Sequence, residues 1–281
     1  MMPVILITGA ATGFGAESAL RLAALGHEVI AAVQVPAQVY ALEQEAKRRG
    51  LDLRIETLDV TSESERRKAA SWNVEVLLNN AGISEGGSVV DIPEENLRHQ
   101  YEVNVIGPTL LTQIVVRDMV KRGRGLVVFM SSVAGLTTDP FAGAYSSSKH
   151  AVEAIAEALR QEMQEFGIEV ATINPGPFLT GFNDRMFETW KSWRDDPSKR
   201  LFDYENIAFP HEQYDQEPVI ETTIGVLTGK IRTYRNVEPK KIVDEQRQMM
   251  DAVWDRKIED GVGKRNQLVQ KAYDISPGVP V

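Results

Sequence analysis

Six short apolar runs, at 4–8, 29–33, 53–58, 74–78, 126–131 and 168–173, alternate with stretches whose apolar residues repeat at helical spacing. Runs this short and this rich in apolar residues read as strands buried on both faces, with the helices between them doing the burying. The spacing therefore predicts βαβ units and a doubly wound, Rossmann-type parallel sheet in a three-layer α/β/α sandwich. In the first crossover, Ala16, Ala19, Leu20 and Ala23 share one helical face, and Gly26 is placed to close the helix. With 281 residues, no fixed-period repeat and no linker, one domain over 1–281 is expected. The β/α rhythm stops after Gly176. Residues 178–216 mix aromatics, charges and prolines and read as an insertion; helical patterns resume at 218–227 and 239–256, and 261–281 reads as an irregular tail.

Composition removes several kinds of chemistry. Cysteine is absent, so disulfides, thiolate nucleophiles and Cys-based zinc sites go together. The four histidines, His27, His99, His150 and His211, form no i, i+4 pair, and no catalytic metal is expected. A net charge of −9, from 40 acidic against 31 basic residues, sets the chain against nucleic acid as a partner. The basic cluster Lys121-Arg122-Gly123-Arg124 falls where a helix should end and suits its dipole. No apolar run reaches membrane-spanning length, and Met1-Met2-Pro3 leads directly into a strand without the pattern of a signal peptide, so a cytoplasmic location and no membrane partner are expected.

Two features carry chemistry. The first run passes into Thr8-Gly9-Ala10-Ala11-Thr12-Gly13-Phe14-Gly15 and then into a helix. In that context Gly9 permits a tight turn, Gly13 lets backbone approach a pyrophosphate, and Gly15 allows close helix packing, with the helix N-terminus facing the anion. The fourth run ends in Asn79-Asn80-Ala81-Gly82, which on its own is an ordinary turn. The second feature is Tyr145 and Lys149, i, i+4 at the start of a long helical pattern, with β-carbons ~6 Å apart. Bringing a tyrosine from about 10 to about 7 takes roughly 4 kcal/mol. One ammonium at ~4 Å supplies about that much at an effective dielectric of ~20. Ser131-Ser132 ends the fifth run at the edge where open α/β sheets bind ligands.

Taken in order, Thr8-Gly-x-x-x-Gly13-x-Gly15, Asp59-Val60, Asn79-Asn80-Ala81-Gly82, Asn104, Ser132, Tyr145-x-x-x-Lys149 and Asn174-Pro175-Gly176 resemble the single-domain branch of the short-chain dehydrogenase/reductase family over roughly 3–180. The resemblance implies a tetrad in which Tyr145 transfers a proton and Ser132, thirteen residues before it, holds the substrate oxygen. Lys149 lowers the tyrosine and bonds the nicotinamide ribose, and Asn104 anchors a proton-relay water. Asp59-Val60 would meet adenine, Asn80 and Gly82 the cofactor, and Pro175-Gly176 the nicotinamide. Thr8, Gly9, Thr12, Gly13, Phe14, Gly15, Gln34, Ala81 and Phe178 complete the expected dinucleotide site. The helix between 60 and 74 is shorter than the family's, and 261–281 does not resemble its C-terminal strand and turn.

The implied reaction is NAD(P)-dependent interconversion of a secondary alcohol and a ketone. Val33-Gln34-Val35 offers no acid for ribose hydroxyls, which favours NADP, although no arginine stands there or beside Thr12 for a 2′-phosphate. A homodimer or homotetramer is expected through helices near 97–120 and 146–166, where Ala151, Ala154 and Ala158 face either a partner or the subunit's own sheet. For the substrate pocket, Leu136, Phe141, Ala144, Pro177 and Phe178 are candidates, joined from the insertion by Phe182, Met186, Phe187, Trp190 and Trp193. These suit a bulky apolar or aromatic substrate under a lid at 182–216, or else the insertion's aromatics bury a small core of their own. Rival readings are a non-catalytic dinucleotide-binding regulator, an acyl-carrier-dependent ketoreductase and a sugar-nucleotide epimerase or dehydratase.

Overall fold

In the computed structural model, which describes residues 3–275, the six runs become β1 (Val4–Thr8), β2 (Glu28–Val33), β3 (Arg54–Thr57), β4 (Val76–Asn79), β5 (Gly125–Met130) and β6 (Ile168–Pro175), and β7 (Arg235–Glu238) joins them. All pair in parallel in the order β3-β2-β1-β4-β5-β6-β7. This is the expected Rossmann-type sheet. Its strand order reverses between β1 and β4, which opens a crevice at their carboxyl ends.

Strand residues alternate between two cores because successive side chains point to opposite faces. Ile5, Ile7, Ala31, Val33, Leu78, Val128 and Ile173 pack on the side of α1 (Gly13–Ala24) and α8 (Glu217–Leu227). Leu6, Ile30, Ala32, Leu77, Val127 and Phe129 pack on the side of α5 (Gly107–Arg122) and α6 (Gly143–Glu162). The remaining early helices are α2 (Pro36–Arg48), the short α3 (Glu63–Lys68) and α4 (Glu94–Tyr101), which runs into α5 through a π-helical turn at Glu102–Ile106.

The C-terminal third departs from the sequence reading. β7 was not foreseen: it reads Arg-Asn-Val-Glu, with a single apolar residue. The helix expected over 239–256 is broken into a 3-10 turn (Lys240–Ile242), α9 (Val243–Asp251) and a second 3-10 turn (Ala252–Asp255). The tail taken as irregular contains α10 (Gln267–Asp274), capped where the Asn266 side chain accepts from the Leu268 N–H at 2.8 Å. The rest of that tail, 276–281, lies outside the described residues.

The insertion is α7 (Phe182–Met186) followed by 3-10 turns at Thr189–Ser192, Pro197–Lys199 and Tyr204–Asn206. Its aromatics build a third core, in which Met186, Phe187, Trp193 and Tyr204 close on Phe141, Ala142 and, from α10, Ala272. Of the two sequence readings, burial of a private core is the one the structure bears out for Met186, Phe187 and Trp193. Gly87 shows how tight the docking is: a β-carbon there would stand 2.4 Å from the Trp193 ring.

Candidate active site

The crevice begins at the glycine turn. Gly9 has φ +64, and a β-carbon on it would lie 2.6 Å from the Ala81 Cα, so the β1 turn and the β4 turn touch backbone to backbone. A β-carbon on Gly15 would meet the Asn80 amide nitrogen at 2.4 Å. Asn80 ties the two turns together, donating from Nδ2 to the Thr8 and Gly9 carbonyls at 2.9 and 3.1 Å. Thr8 is fully buried beneath them, and its hydroxyl accepts from the Asn80 and Ala81 N–H groups at 3.0 Å each. Thr12 caps α1 in extended conformation without offering its side chain, and no acid stands in the first helical turn. Free helix N–H groups with no local anion, beside a Gly13 that leaves open space, fit a diphosphate.

At the far end of the crevice, the first turns of α6 carry Tyr145 and Lys149 past the end of β5. Ser132 is held in extended backbone: its hydroxyl donates to the Pro175 carbonyl at 3.2 Å and accepts from the Ala134 N–H at 3.1 Å. Tyr145 packs edge-on against Phe182, ring centroids 5.6 Å apart. The Lys149 ammonium donates to the Met130 carbonyl at 2.8 Å and stands 5.7 Å from the Tyr145 ring centroid. Burial pushes the phenol up to about 12, against the opposing pull of the Ser132 hydroxyl beside it. Burial also pushes the Lys149 ammonium down to about 8, against the attraction of Glu153. The pair alone therefore leaves the tyrosine protonated, contrary to the estimate from spacing. That estimate counted the attraction between two side chains and left out the desolvation that both undergo.

Asn104 lies in the π-helical turn, 2 % exposed. Its Oδ1 accepts from the Ile83 N–H at 2.9 Å, and its Nδ2 donates to the Ile83 carbonyl at 3.0 Å and the Ser148 hydroxyl at 3.1 Å. It thus fastens the segment following Gly82 to α6, one residue from Lys149.

Comparison with known proteins identifies the chain's relatives. The sequence profile described as short chain dehydrogenase matches residues 3–191. The chain belongs to the short-chain dehydrogenase/reductase family. It is 37% identical over 242 residues to the uncharacterized oxidoreductase YusZ of Bacillus subtilis, covering 84% of this chain and 86% of that one. To the NADPH-dependent 3-dehydrocapnine reductase of Ornithobacterium rhinotracheale it is 35% identical over 188 residues, 64% of this chain and 66% of the relative. Its fold is similar to that of the actinorhodin polyketide ketoreductase solved with NADPH, at 27% identity and a TM-score of 0.70, over 84% of this chain and 95% of the other. As a member of this family the chain is an oxidoreductase.

Most residues expected at the site line one crevice: Gly9, Thr12, Gly13 and Phe14; Gln34, Asp59 and Val60; Asn80, Ala81 and Gly82; Ser132, Tyr145 and Lys149; Pro175, Gly176 and Phe178. Thr8, Gly15 and Asn104 stand behind its wall and hold it in place. The sequence reading missed Gln38, His99, Thr180, Asn183 and Arg185, which also line it. Gln38 was legible as the residue one helical turn beyond Gln34, and its Oε1 accepts from the Gln34 N–H at 2.9 Å. Arg185 had no signal in sequence, because only the fold of α7 brings it to the crevice. Among the described residues no three His, Asp or Glu side chains gather as metal ligands, and no helix is long and apolar enough to cross a membrane.

Proposed function

We propose that this short-chain dehydrogenase/reductase interconverts a secondary alcohol and a ketone with NADP(H), working chiefly as a ketone reductase. The observation that carries the reading is the convergence of Ser132, Tyr145 and Lys149 at one end of a crevice whose other end fits a diphosphate. The nicotinamide, when bound, would supply the hydride and, in its oxidised form, a positive charge. Ser132 holds the substrate oxygen by its hydroxyl. Tyr145, protonated at neutral pH, gives its proton to that oxygen as negative charge develops there. Lys149 would hold the nicotinamide ribose and support the phenolate that the transfer leaves behind. Asn104, whose side chain is committed to Ile83 and Ser148, would anchor a proton-relay water from the π-helical turn.

The NADP preference rests on the two relatives whose names carry NADPH and on the absence of an acid at the end of β2, where Gln34 and Gln38 stand. Phe182 is the aromatic wall next to the tyrosine, and it favours a ketone with an apolar arm under the short α7 segment. Ala154 and Ala158 lie exposed on α6, and a homodimer or homotetramer would pack there. The reading is tested by assaying aryl and alkyl ketones with NADPH and NADH, using the wild type and Tyr145→Phe. The variant is expected to bind NADPH normally and lose roughly 100-fold or more in turnover, since general acid catalysis contributes ~10²–10⁴. Near-normal turnover by Tyr145→Phe, or better reduction of glycerol-sized polyol ketones than of aryl ketones, contradicts it.

A further inference from the structure

One helical turn beyond Lys149 a carboxylate is buried with no place in the reading above. Glu153 is 8 % exposed. Its Oε1 accepts from Asn174 Nδ2 at 2.6 Å, and its Oε2 from Arg235 at 2.8 Å. The same Asn174 nitrogen donates to the Ser132 carbonyl at 3.2 Å, and Asn174 Oδ1 accepts from the Thr172 hydroxyl at 3.0 Å. A continuous buried path therefore runs from Arg235 at the sheet edge through Glu153 and Asn174 to the backbone of Ser132. At i, i+4 on α6, the carboxylate also faces the Lys149 side of the helix. A buried carboxylate is weak evidence for stability, since an apolar residue of the same volume commonly serves as well. Its presence here calls for another cause.

We propose that Glu153 is a positioning residue: its negative charge keeps the buried Lys149 side chain an ammonium, while its bond to Asn174 sets the backbone that aims Ser132. The attraction of Glu153 is what opposes the desolvation of that lysine. Arg235, reaching in from β7 with its side chain 40% exposed, tempers the carboxylate. Other titratable groups around the pair are few. Tyr145 and Glu157 share α6, Tyr234 precedes β7 and senses Glu153, and His99 of α4 lines the same crevice. Glu238 of β7 is spent on Thr222 and Lys240. From β5 and β6 the neighbours are the neutral Ser131, Ser132 and Asn174.

This inference rests on the catalytic reading of Lys149, and the test separates the two. Glu153→Gln keeps an acceptor for Asn174 and removes the charge, so the alkaline limb of kcat/KM is expected to move down by about one pH unit. Arg235→Met removes the tempering cation and should move the limb up by about half a unit. The ε-15N resonance of Lys149, assigned by its loss in Lys149→Met, should titrate in the same two directions without any turnover. A merely structural Glu153 would lower the melting temperature and leave both titrations where they are, and that result overturns the proposal. If Glu153→Gln yields no folded protein, the opposite shift in the partly exposed Arg235→Met carries the test by itself. If the 15N shifts appear while Tyr145→Phe retains turnover, the electrostatic proposal stands and the catalytic reading falls.

Discussion

The two ends of the crevice are built by different means. The dinucleotide end is made of main chain: the β1 and β4 turns touch at Gly9 and Ala81, and Asn80 laces one to the other. The far end, where we propose that the substrate binds, is made of side chains, with α7 and three 3-10 turns packed through Phe187, Trp193 and Tyr204 onto Phe141 and α10. Main-chain contact tolerates almost no substitution, because a β-carbon has nowhere to go. Aromatic packing tolerates exchange among residues of similar volume. A chain built this way holds one cofactor geometry fixed while the substrate wall is free to vary.

That contrast breaks most severely at Gly9. Gly9→Ala places a β-carbon 2.6 Å from the Ala81 Cα at a positive φ, and it is expected to abolish NADPH binding by calorimetry, with most of the protein insoluble. If the variant binds within tenfold of wild type, the dinucleotide end is more pliant than described. At the other end, Trp193→Ala empties the centre of the third core and should cost about 3–5 kcal/mol in urea unfolding. Its NADPH affinity should stay within about twofold of wild type, because none of the third core's contacts reaches the glycine turn. Trp193→Phe should be far milder. The buried indole N–H has no hydrogen-bond partner among the described residues, so little polar bonding is lost.

A smaller effect of opposite sign is expected from Lys149. Burial holds this lysine at about 8, against 10.5 for a free one, so the folded state carries an unfavourable ammonium below pH 8. The penalty is roughly 3 kcal/mol at neutral pH, and it fades as the pH rises from 8 towards 10.5. Lys149→Met should therefore give a protein with no ketone reduction that is up to about 3 kcal/mol more stable at pH 7, less whatever the unpaired Met130 carbonyl costs. The gain should shrink at pH 10. Equal stability at both values would mean that the ammonium is better solvated than its 5 % exposure implies.

The same contrast explains what could be read in the sequence. Buried parallel strands must be apolar on both faces, so the five inner strands announced themselves as runs, and the edge strand β3 did so through Leu53, Ile55 and Leu58. β7 did not, because an edge strand needs little apolar surface. It is held instead by pairing with β6 and by Asn236, which donates to the Thr172 and Thr233 carbonyls. The crevice residues that belong to main-chain turns were legible, since glycine and asparagine occur there for conformational reasons. Aromatic residues carry no such signature. Their spacing between 182 and 193 does not say whether they face a substrate or one another, and α10, amphipathic over only eight residues, gave no hint that Ala272 completes their core. Nor does spacing report desolvation, which is why Tyr145 stands above its ordinary range and not below.

The docking of α10 has a consequence for the order in which the molecule is made. The Ala272 carbonyl accepts from the Ala208 N–H at 2.9 Å, and the Tyr273 hydroxyl accepts from the Asp203 N–H at 3.1 Å, so the insertion is fastened by residues that follow every other described element. A chain emerging from the ribosome can pair β1 to β6 and assemble the dinucleotide end while residues 267–274 are still being synthesised. Until they are released, the insertion lacks these two hydrogen bonds and the Ala272 contact in its core. During synthesis the turns of the dinucleotide end are therefore expected to be complete before the far wall of the crevice is fastened.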